Sequence, residues 1–367
     1  MLRIDRRLIA HFDWPLLLCV LLLIGAGMVT VMSATHSPGQ SASPLALRQL
    51  LWGGLGLAGM IAALSFDYRW LERYGYIPYA LALAMLATTA VIGAAGGGAR
   101  RWIPLGPFML QPSEFAKLAL IIALARYLHR QTGEGPLALR AVGIPLLLFA
   151  PVAALILKQP DLGTAVVIGA SVGAILLVAG MRLRLILIVV AVLGPVLPYA
   201  WNHLKPYQQR RILTFIDPQA DPLGSGYHII QSKIAIGSGL LHGKGFMQGT
   251  QNQLNFLPEQ HTDFIFAVFA EEWGFIGSAL LVTLYAALLL RCFVVATRAR
   301  DAFGVLLAFG LCAGIFCQVF INMGMAMGVL PVVGVTLPFF SYGGSSLLAS
   351  MIAIGLLMNI SMRRFTF

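Results

Sequence analysis

Seven charged side chains lie within or beside long apolar stretches of the sequence, and they are the first candidates for chemistry. They are Arg48, Arg101, Glu114, Lys117, Lys158, Asp161 and Asp263. Ionisable groups are costly at membrane depth, and those found there usually mark a substrate or ion pathway. Glu114 and Lys117 are three residues apart on one predicted helix, so they share a face and can form an ion pair. Asp263 directly precedes the apolar run 264–269, which places an acid where an apolar segment meets water.

The three acids also have structural explanations, which the sequence leaves open. Glu114 follows Pro112-Ser113 and can complement the dipole of a helix N-terminus. Asp161, after Gln159-Pro160, can act as a first-turn acid. Asp263 can cap the helix that follows it, although Thr262 offers a second capping side chain.

The composition is that of a polytopic membrane protein. Of the 367 residues, 59% are hydrophobic and only 11% are charged. The net charge of +11 comes from basic residues scattered singly or in pairs, so it indicates topology signals and contact with anionic lipid rather than nucleic-acid binding. The four cysteines fall inside apolar segments, without a disulfide framework or zinc spacing. No metal or cofactor is indicated, and a divalent cation is left open.

About ten apolar stretches are long enough to cross a bilayer, at about 20 residues per crossing. They predict an all-α fold in a single integral membrane domain, 1–367. The predicted spans are 14–32, 45–64, 76–95, 113–128, 142–157, 162–180, 183–201, 264–290, 302–327 and 339–362. The first span is longer than the apolar core of a signal peptide and precedes a weak cleavage site, so we interpret it as retained.

One large loop, about 202–263, separates the seventh and eighth spans. Its apolar residues between 229 and 241 recur near a helical period, which predicts a short helix in the membrane interface. If the spans alternate, most arginines fall on one side, which the positive-inside rule makes cytoplasmic. Both termini are then cytoplasmic, and the large loop is extracytoplasmic.

Standard motifs for nucleotide or acyl chemistry are missing from the sequence. Lys244 is not part of a P-loop, because Ser238 and Gly245 occupy positions where that motif needs glycine and a hydroxyl residue. No lysine has a serine three positions before it, so the Ser-x-x-Lys nucleophile of acyl transfer is absent.

Several longer motifs resemble the SEDS family (shape, elongation, division and sporulation) over essentially the whole chain. They are RWI at 101–103, QPSEFAK at 111–117, QPDLG at 159–163, HTDFIF at 261–266, NMGM at 322–325, GVLP at 328–331 and LPFFSYGGSS at 337–346. The short termini are more similar to the elongation member of the family than to the division member.

The resemblance implies a peptidoglycan glycosyltransferase of the bacterial inner membrane, with its active site facing outward, that polymerises lipid II during cell elongation and rod-shape maintenance. Its expected partners are lipid II, the nascent glycan strand, membrane lipid, other membrane proteins of the elongation complex and a class B penicillin-binding protein. That last partner would supply the transpeptidase, which fits the absence of Ser-x-x-Lys.

In the implied reaction, the 4-hydroxyl of an acceptor sugar attacks C1 of a donor sugar and expels undecaprenyl diphosphate. The resemblance makes Asp263 the general base, and a carboxylate near an apolar interface can have the raised basicity that this role needs. Basic residues would stabilise the diphosphate, while the acids order the cavity and the turn before the last helix offers backbone amides. The implied substrate-binding residues are Arg48, Arg101, Glu114, Lys117, Lys158, Asp161, Ser341, Gly343, Gly344 and Ser345.

Two other classes of function use the same features. A lipid II flippase would need polar residues across the whole depth of the membrane, whereas here they crowd one face. A noncatalytic scaffold would use the large loop to position a penicillin-binding protein.

Overall fold

The computed structural model describes residues 11–36, 43–96, 99–106, 108–131, 139–182, 184, 209, 213–215, 217, 225–254, 256–257 and 259–364. Its helices are α1 (Trp14–Ala34), α2 (Pro44–Ser65), α3 (Arg69–Tyr74), α4 (Tyr76–Ile92), α5 (Pro112–Leu128), α6 (Leu139–Lys158), α7 (Leu162–Val178), α8 (Ser225–Ser238), α9 (Thr250–Gln253), α10 (Ile265–Thr297), α11 (Ala302–Ala326) and α12 (Gly344–Arg363). Its strands are β1 (Ala94–Gly96), β2 (Ala99–Leu105) and β3 (Phe108–Leu110).

Local capping residues determine where several helices begin. The Asp13 carboxylate accepts a hydrogen bond from the backbone N–H of Leu16 at the start of α1. Ser43 caps α2 in the same way, and Pro44 occupies its first turn. Asp161 and Asp301 cap α7 and α11. Asp161 therefore has a structural role at the start of α7, but as its N-cap residue rather than as the predicted first-turn acid.

Six of the described helices, α1, α2, α6, α10, α11 and α12, are long and apolar enough to cross a membrane, and α4 and α7 are shorter apolar helices. This confirms the predicted all-α membrane architecture. The predicted span 183–201 lies outside the described residues.

Two ends of the helix assembly can be distinguished among the described residues. At one end, which we call the arginine end, Arg291 near the end of α10 pairs with Asp13 before α1 at 2.8 Å. Arg363 at the end of α12 pairs with Asp67 after α2 at 3.5 Å. The other end, which we call the Asp263 end, carries the starts of α2, α5, α7, α10 and α12.

Helix α5 is the centre of the assembly. It packs against α3, α4, α6, α7, α11 and α12. Almost every side chain of α5 is buried, the exceptions being Phe115, Arg126 and Tyr127. A helix that is buried on all sides must also bury its polar residues, so Glu114 and Lys117 lie inside the protein.

The structure differs from the predicted spans in three places. The predicted span 264–290 is too short, because α10 continues to Thr297. The predicted span 76–95 is too long, because α4 ends at Ile92 and the chain continues into an antiparallel sheet of order β1-β2-β3. The predicted span 339–362 begins too early, because α12 starts at Gly344. Residues 327–343, which we call the connecting segment, join α11 to α12 without a helix.

The short helix predicted in the large loop is present as α8. It packs against α10 and α11, with Ile229 and Ala235 buried. The Ser232 hydroxyl donates a hydrogen bond to the carbonyl of Ala326 at 2.6 Å. One face of α8 is thus bound to the helix assembly.

Candidate functional site

A polar cavity lies at the Asp263 end between α5, α7, α11 and the connecting segment. Its empty volume is about 330 Å³ when the open solvent at its mouth is included, and about 30 Å³ can hold the centres of water molecules. It is lined by Gln111, Glu114, Lys117, Thr164, Val167, Gln318, Gly334, Val335 and Thr336. Amides, hydroxyls and one ion pair thus converge on a cleft inside an otherwise apolar protein, which is the usual composition of a ligand site.

The ion pair predicted from the spacing of Glu114 and Lys117 is present. The Lys117 ammonium lies 3.0 Å from the Glu114 carboxylate, and the two residues are only 5% and 6% exposed. Because Glu114 also stands in the first turn of α5, it complements the helix dipole as well. The pair places a compensated positive charge in the wall of the cavity.

Asp263 lies beside the same cavity. A Cβ atom added to Gly334, one of the lining residues, would be 3.4 Å from Oδ2 of Asp263. The capping explanation for Asp263 is wrong, because α10 begins at Ile265 and its N-cap residue is Phe264. The partly exposed Asp263 lies at the boundary between the cavity and the start of α10.

Asn322 on α11 holds the backbone around Asp263. Its amide nitrogen donates hydrogen bonds to the carbonyls of Asp263, at 3.0 Å, and Val335, at 2.7 Å. Asn322 is fully buried, so these two bonds fix the start of α10 against the connecting segment.

Ser341 supports the same turn from the other side. Its hydroxyl donates to the carbonyl of Thr262 at 2.6 Å and accepts from the N–H of Leu337 at 2.9 Å. Gln49 donates to the Ser341 carbonyl and accepts from the N–H of Gly343. The Ser341 hydroxyl and the Gly343 amide thus hold the connecting segment in place.

Ser345, near the start of α12, connects the sheet to the cavity. Its hydroxyl donates to the carbonyl of Met109 at 3.2 Å and accepts from the N–H of Gln111 at 2.9 Å. The Gln111 side chain, which lines the cavity, donates to Asp161 at 3.3 Å. Gly344, the first residue of α12, packs tightly against Trp52.

Asp161 is 2% exposed, and burial raises its pKa, an effect that the nearby Arg101 guanidinium opposes. Arg101 lies 4.0 Å from the Asp161 carboxylate and donates hydrogen bonds to the carbonyls of Gln159 and Pro160. These contacts fasten β2 to the turn before α7. Arg48 and Lys158 are exposed and do not line the cavity.

Burial lowers the pKa of two histidines near the ends of the assembly. Burial lowers the pKa of His261, two residues before Asp263, and the neighbouring Glu259 opposes this shift. Burial also lowers the pKa of His129 at the end of α5, although Glu72 lies 3.2 Å away. The neutral form of each imidazole is favoured in the folded protein.

The sequence profile of the cell cycle proteins FtsW, RodA and SpoVE matches residues 13–365. The chain belongs to this family. It is 41% identical over 355 residues to the peptidoglycan glycosyltransferase MrdB of Escherichia coli K12, covering 96% of this chain and 94% of the relative.

Two solved structures have the same fold as this member of the family. One is a chain from a study of how a peptidoglycan synthase complex coordinates polymerization and crosslinking, with 36% identity, a TM-score of 0.84 and coverage of 97% and 99% of the two chains. The other is the crystal structure of the Thermus thermophilus rod shape determining protein RodA, with 32% identity, a TM-score of 0.73 and coverage of 97% and 98%. The family resemblance carried by the motifs is confirmed.

Sequence reasoning missed several polar residues of this family member's cavity. Gln318 and Asn322 are four residues apart on α11, one in the cavity wall and one beneath Asp263. Two amide side chains at this spacing share a face of the helix. Polar groups at membrane depth are costly, as charged groups are, so the same reasoning would have identified these two residues as candidates. Among the described residues, no group of three or more His, Cys, Asp or Glu side chains could hold a metal ion.

Proposed function

We propose that this chain is a peptidoglycan glycosyltransferase that polymerises lipid II during cell elongation. The observation that carries the proposal is the position of Asp263 beside a polar cavity whose wall holds the Lys117–Glu114 ion pair. The relative named MrdB, a peptidoglycan glycosyltransferase, is similar to this chain over almost its whole length, which supports the activity.

In the proposed reaction, the Asp263 carboxylate accepts the proton of the acceptor 4-hydroxyl while that oxygen attacks C1 of the donor sugar. The bond from C1 to the lipid diphosphate breaks with inversion, and undecaprenyl diphosphate leaves. Lys117 is the cation in the cavity wall, so it is the first candidate to stabilise the developing negative charge. Glu114 would hold the ammonium in place from the same helix face.

Arg101, Asp161, Gln111 and Ser345 would act together as the support of this cavity. They link β2, the turn before α7, the start of α5 and the start of α12 by hydrogen bonds. Preorganised donors and acceptors of this kind keep reacting groups in a productive geometry. The Arg48 and Lys158 side chains, which are exposed, would contact lipid headgroups or diphosphate outside the cavity.

A class B penicillin-binding protein is the proposed partner. The absence of a Ser-x-x-Lys motif leaves this chain without a transpeptidase nucleophile of that type. The related chain from a complex that coordinates polymerization and crosslinking supports the assignment of crosslinking to a second protein.

The proposal is tested with labelled lipid II and the purified chain, combined with a partner whose transpeptidase serine is disabled. Gel separation of the glycan products should show polymer from the wild type and at least about 100-fold less from Asp263→Asn, because the variant keeps the size of the side chain but lacks the proton acceptor. Glu259→Gln is the matched control, since it removes an exposed acid from the same turn.

Equal polymer yields from Asp263→Asn and the wild type would refute the role of Asp263. A wild-type complex that makes no polymer, although it binds lipid II, would favour the transporter or scaffold functions instead.

We also propose that the Asp263 end faces outward from the inner membrane. A cysteine for labelling the large loop must be placed at an exposed position. Gln248 is exposed, whereas the neighbouring Gly249 is buried. In a cysteine-free background, Gln248→Cys should react with an impermeant thiol reagent added to spheroplasts. Arg300→Cys, at the exposed arginine end, should react only after lysis. Labelling of position 300 alone in intact spheroplasts would reverse the proposed orientation.

A further inference from the structure

Helix α10, which follows Asp263, is broken at Gly274. This glycine has φ of 64° and ψ of −161°, far from helical values. The break separates a short half-helix, 265–273, from the longer half, 275–297. Asp263 therefore precedes a half-helix of two and a half turns rather than one continuous long helix.

The end of the large loop lies along this break. Residues 239–253, which we call the loop clamp, form backbone hydrogen bonds with α10 on both sides of Gly274. The N–H of Lys244 donates to Glu271 and the N–H of Gly245 donates to Glu272, both at 3.0 Å. On the other side, Phe275 donates to Leu240 at 2.8 Å. The loop clamp thus satisfies backbone groups that the broken helix cannot pair internally.

A partly buried ion pair fastens the loop clamp to the half-helix. Glu271 is fully buried, and its Oε1 atom accepts from the Lys244 ammonium at 2.7 Å. The same oxygen accepts from the N–H of Gln251 at 3.0 Å and from the Thr250 hydroxyl at 3.3 Å. One carboxylate therefore joins two parts of the loop clamp to the half-helix.

The half-helix is held at both ends by groups outside it. At its start, Asn322 binds the carbonyl of Asp263, and at its end, Glu271 binds the loop clamp. Eight residues separate Asp263 from Glu271, about 12 Å along a helix, so Glu271 is too far away to contact the reacting atoms. Neither Lys244 nor Glu271 lines the cavity.

We infer that Lys244 and Glu271 form a positioning pair for glycosyl transfer. The ion pair fixes the half-helix against the large loop and so determines how Asp263 meets the cavity. The inference rests on the proposed function, in which Asp263 accepts the proton. A displacement of about 1 Å at a reacting group can lower the rate by about 100-fold without a direct contact to substrate. Loss of the pair should therefore lower kcat much more than it changes KM.

A structural role alone predicts different behaviour. Removing Lys244 leaves the buried Glu271 carboxylate without its counter-charge, which destabilises a protein whatever its activity, whereas removing Glu271 leaves a partly exposed ammonium and should cost less. The double variant Lys244→Met/Glu271→Gln removes both charges, so it should regain most of the thermal stability lost in the single variants. If the pair positions Asp263, the double variant still polymerises at least about 10-fold more slowly, with KM for lipid II within about 3-fold of the wild type.

Three further variants complete the test. Lys244→Arg keeps the positive charge and should keep kcat within about 3-fold of the wild type. Lys233→Met removes an exposed lysine of the same loop and should have no effect. Glu271→Asp keeps the charge and the fold but shortens the side chain by one methylene, so it should lower kcat several-fold at unchanged KM.

Each outcome of this experiment decides one question. No polymer from the wild type would refute the proposed function itself. An active wild type and a double variant with wild-type kcat would overturn the positioning role. If the double variant does not fold, Glu271→Asp decides, and a wild-type kcat in that variant would overturn the inference.

Discussion

The two ends of the helix assembly use buried charge in different ways. At the arginine end, charged groups join separate elements, since Arg291 of α10 pairs with Asp13 before α1 and Tyr68 before α3 donates to Asp301 before α11. At the Asp263 end, the pairs Arg101–Asp161 and Lys244–Glu271 also join separate elements, but Glu114 and Lys117 lie on one helix and face a cavity.

An ion pair within one helix cannot hold two helices together, whereas a pair between helices can. The arginine-end pairs therefore have a sufficient explanation in stability. The Glu114–Lys117 pair does not, because burial of both charges costs free energy that a pair of apolar side chains would not cost. A pair within one helix thus needs an explanation other than holding elements together, whereas a pair between elements, such as Lys244–Glu271, needs activity measurements to reveal a functional role.

The largest expected difference comes from breaking one pair at each end. Glu114→Gln or Lys117→Met should lower polymerisation by about 100-fold and destabilise the protein by about 3 kcal/mol, because each leaves an unpaired buried charge. Asp13→Asn, at the arginine end, should cost about 1 kcal/mol, because Arg291 is partly exposed, and should leave turnover per folded molecule unchanged.

Thermal unfolding in detergent and the glycan gel measure the two effects separately. A double-mutant cycle on Glu114 and Lys117 should show a strong coupling free energy. Equal loss of turnover at the two ends would remove the distinction between structural and functional pairs.

A smaller difference is expected between two glycines with positive φ, one at each end. Gly334, with φ of 73°, faces Asp263, whereas Gly180, with φ of 94°, has open space where a Cβ would lie. Alanine at either position should cost about 1 kcal/mol of backbone strain. Only Gly334→Ala should also lower polymerisation, by about 10-fold, since its methyl group would contact the Asp263 carboxylate. Unfolding midpoints and rates of the two variants test this, and an inactive Gly180→Ala variant would contradict it.

The smallest difference concerns the histidines. Because burial lowers the folded-state pKa of His261 and His129, each contributes stability that is present above the unfolded pKa, about 6.5, and is lost as the pH falls below it. Glu259 offsets part of this loss for His261, and Glu72, whose carboxylate lies in direct contact at 3.2 Å, offsets part of it for His129. The unfolding temperature should therefore differ less between pH 7 and pH 5 in the His261→Gln variant than in the wild type, by roughly 2 °C. His129→Gln should reduce this difference by a smaller amount. A larger effect from His129→Gln would show that Glu72 does not stabilise the protonated ring.

The sequence by itself determined the features that depend on near neighbours along the chain. Apolar periodicity predicts the long helices. A cap such as Asp161 accepts its hydrogen bond from a backbone N–H only three residues later in the chain. The i,i+3 spacing predicts the Glu114–Lys117 ion pair. The apolar run that follows Asp263 predicts that this acid lies where an apolar helix begins. These features do not depend on how the helices pack.

Only the tertiary structure decided which polar groups meet. The strands β1 and β3 have three residues each, too few for a periodic signal, and the connecting segment takes its shape from distant partners such as Gln49. Arg101 and Lys158 both lie in connections between predicted spans, yet one binds backbone carbonyls and the other is exposed. Asn322 reaches Asp263 across 59 positions, and Lys244 reaches Glu271 across 27. Contacts at such separations depend on how whole helices pack, and no local pattern encodes that packing.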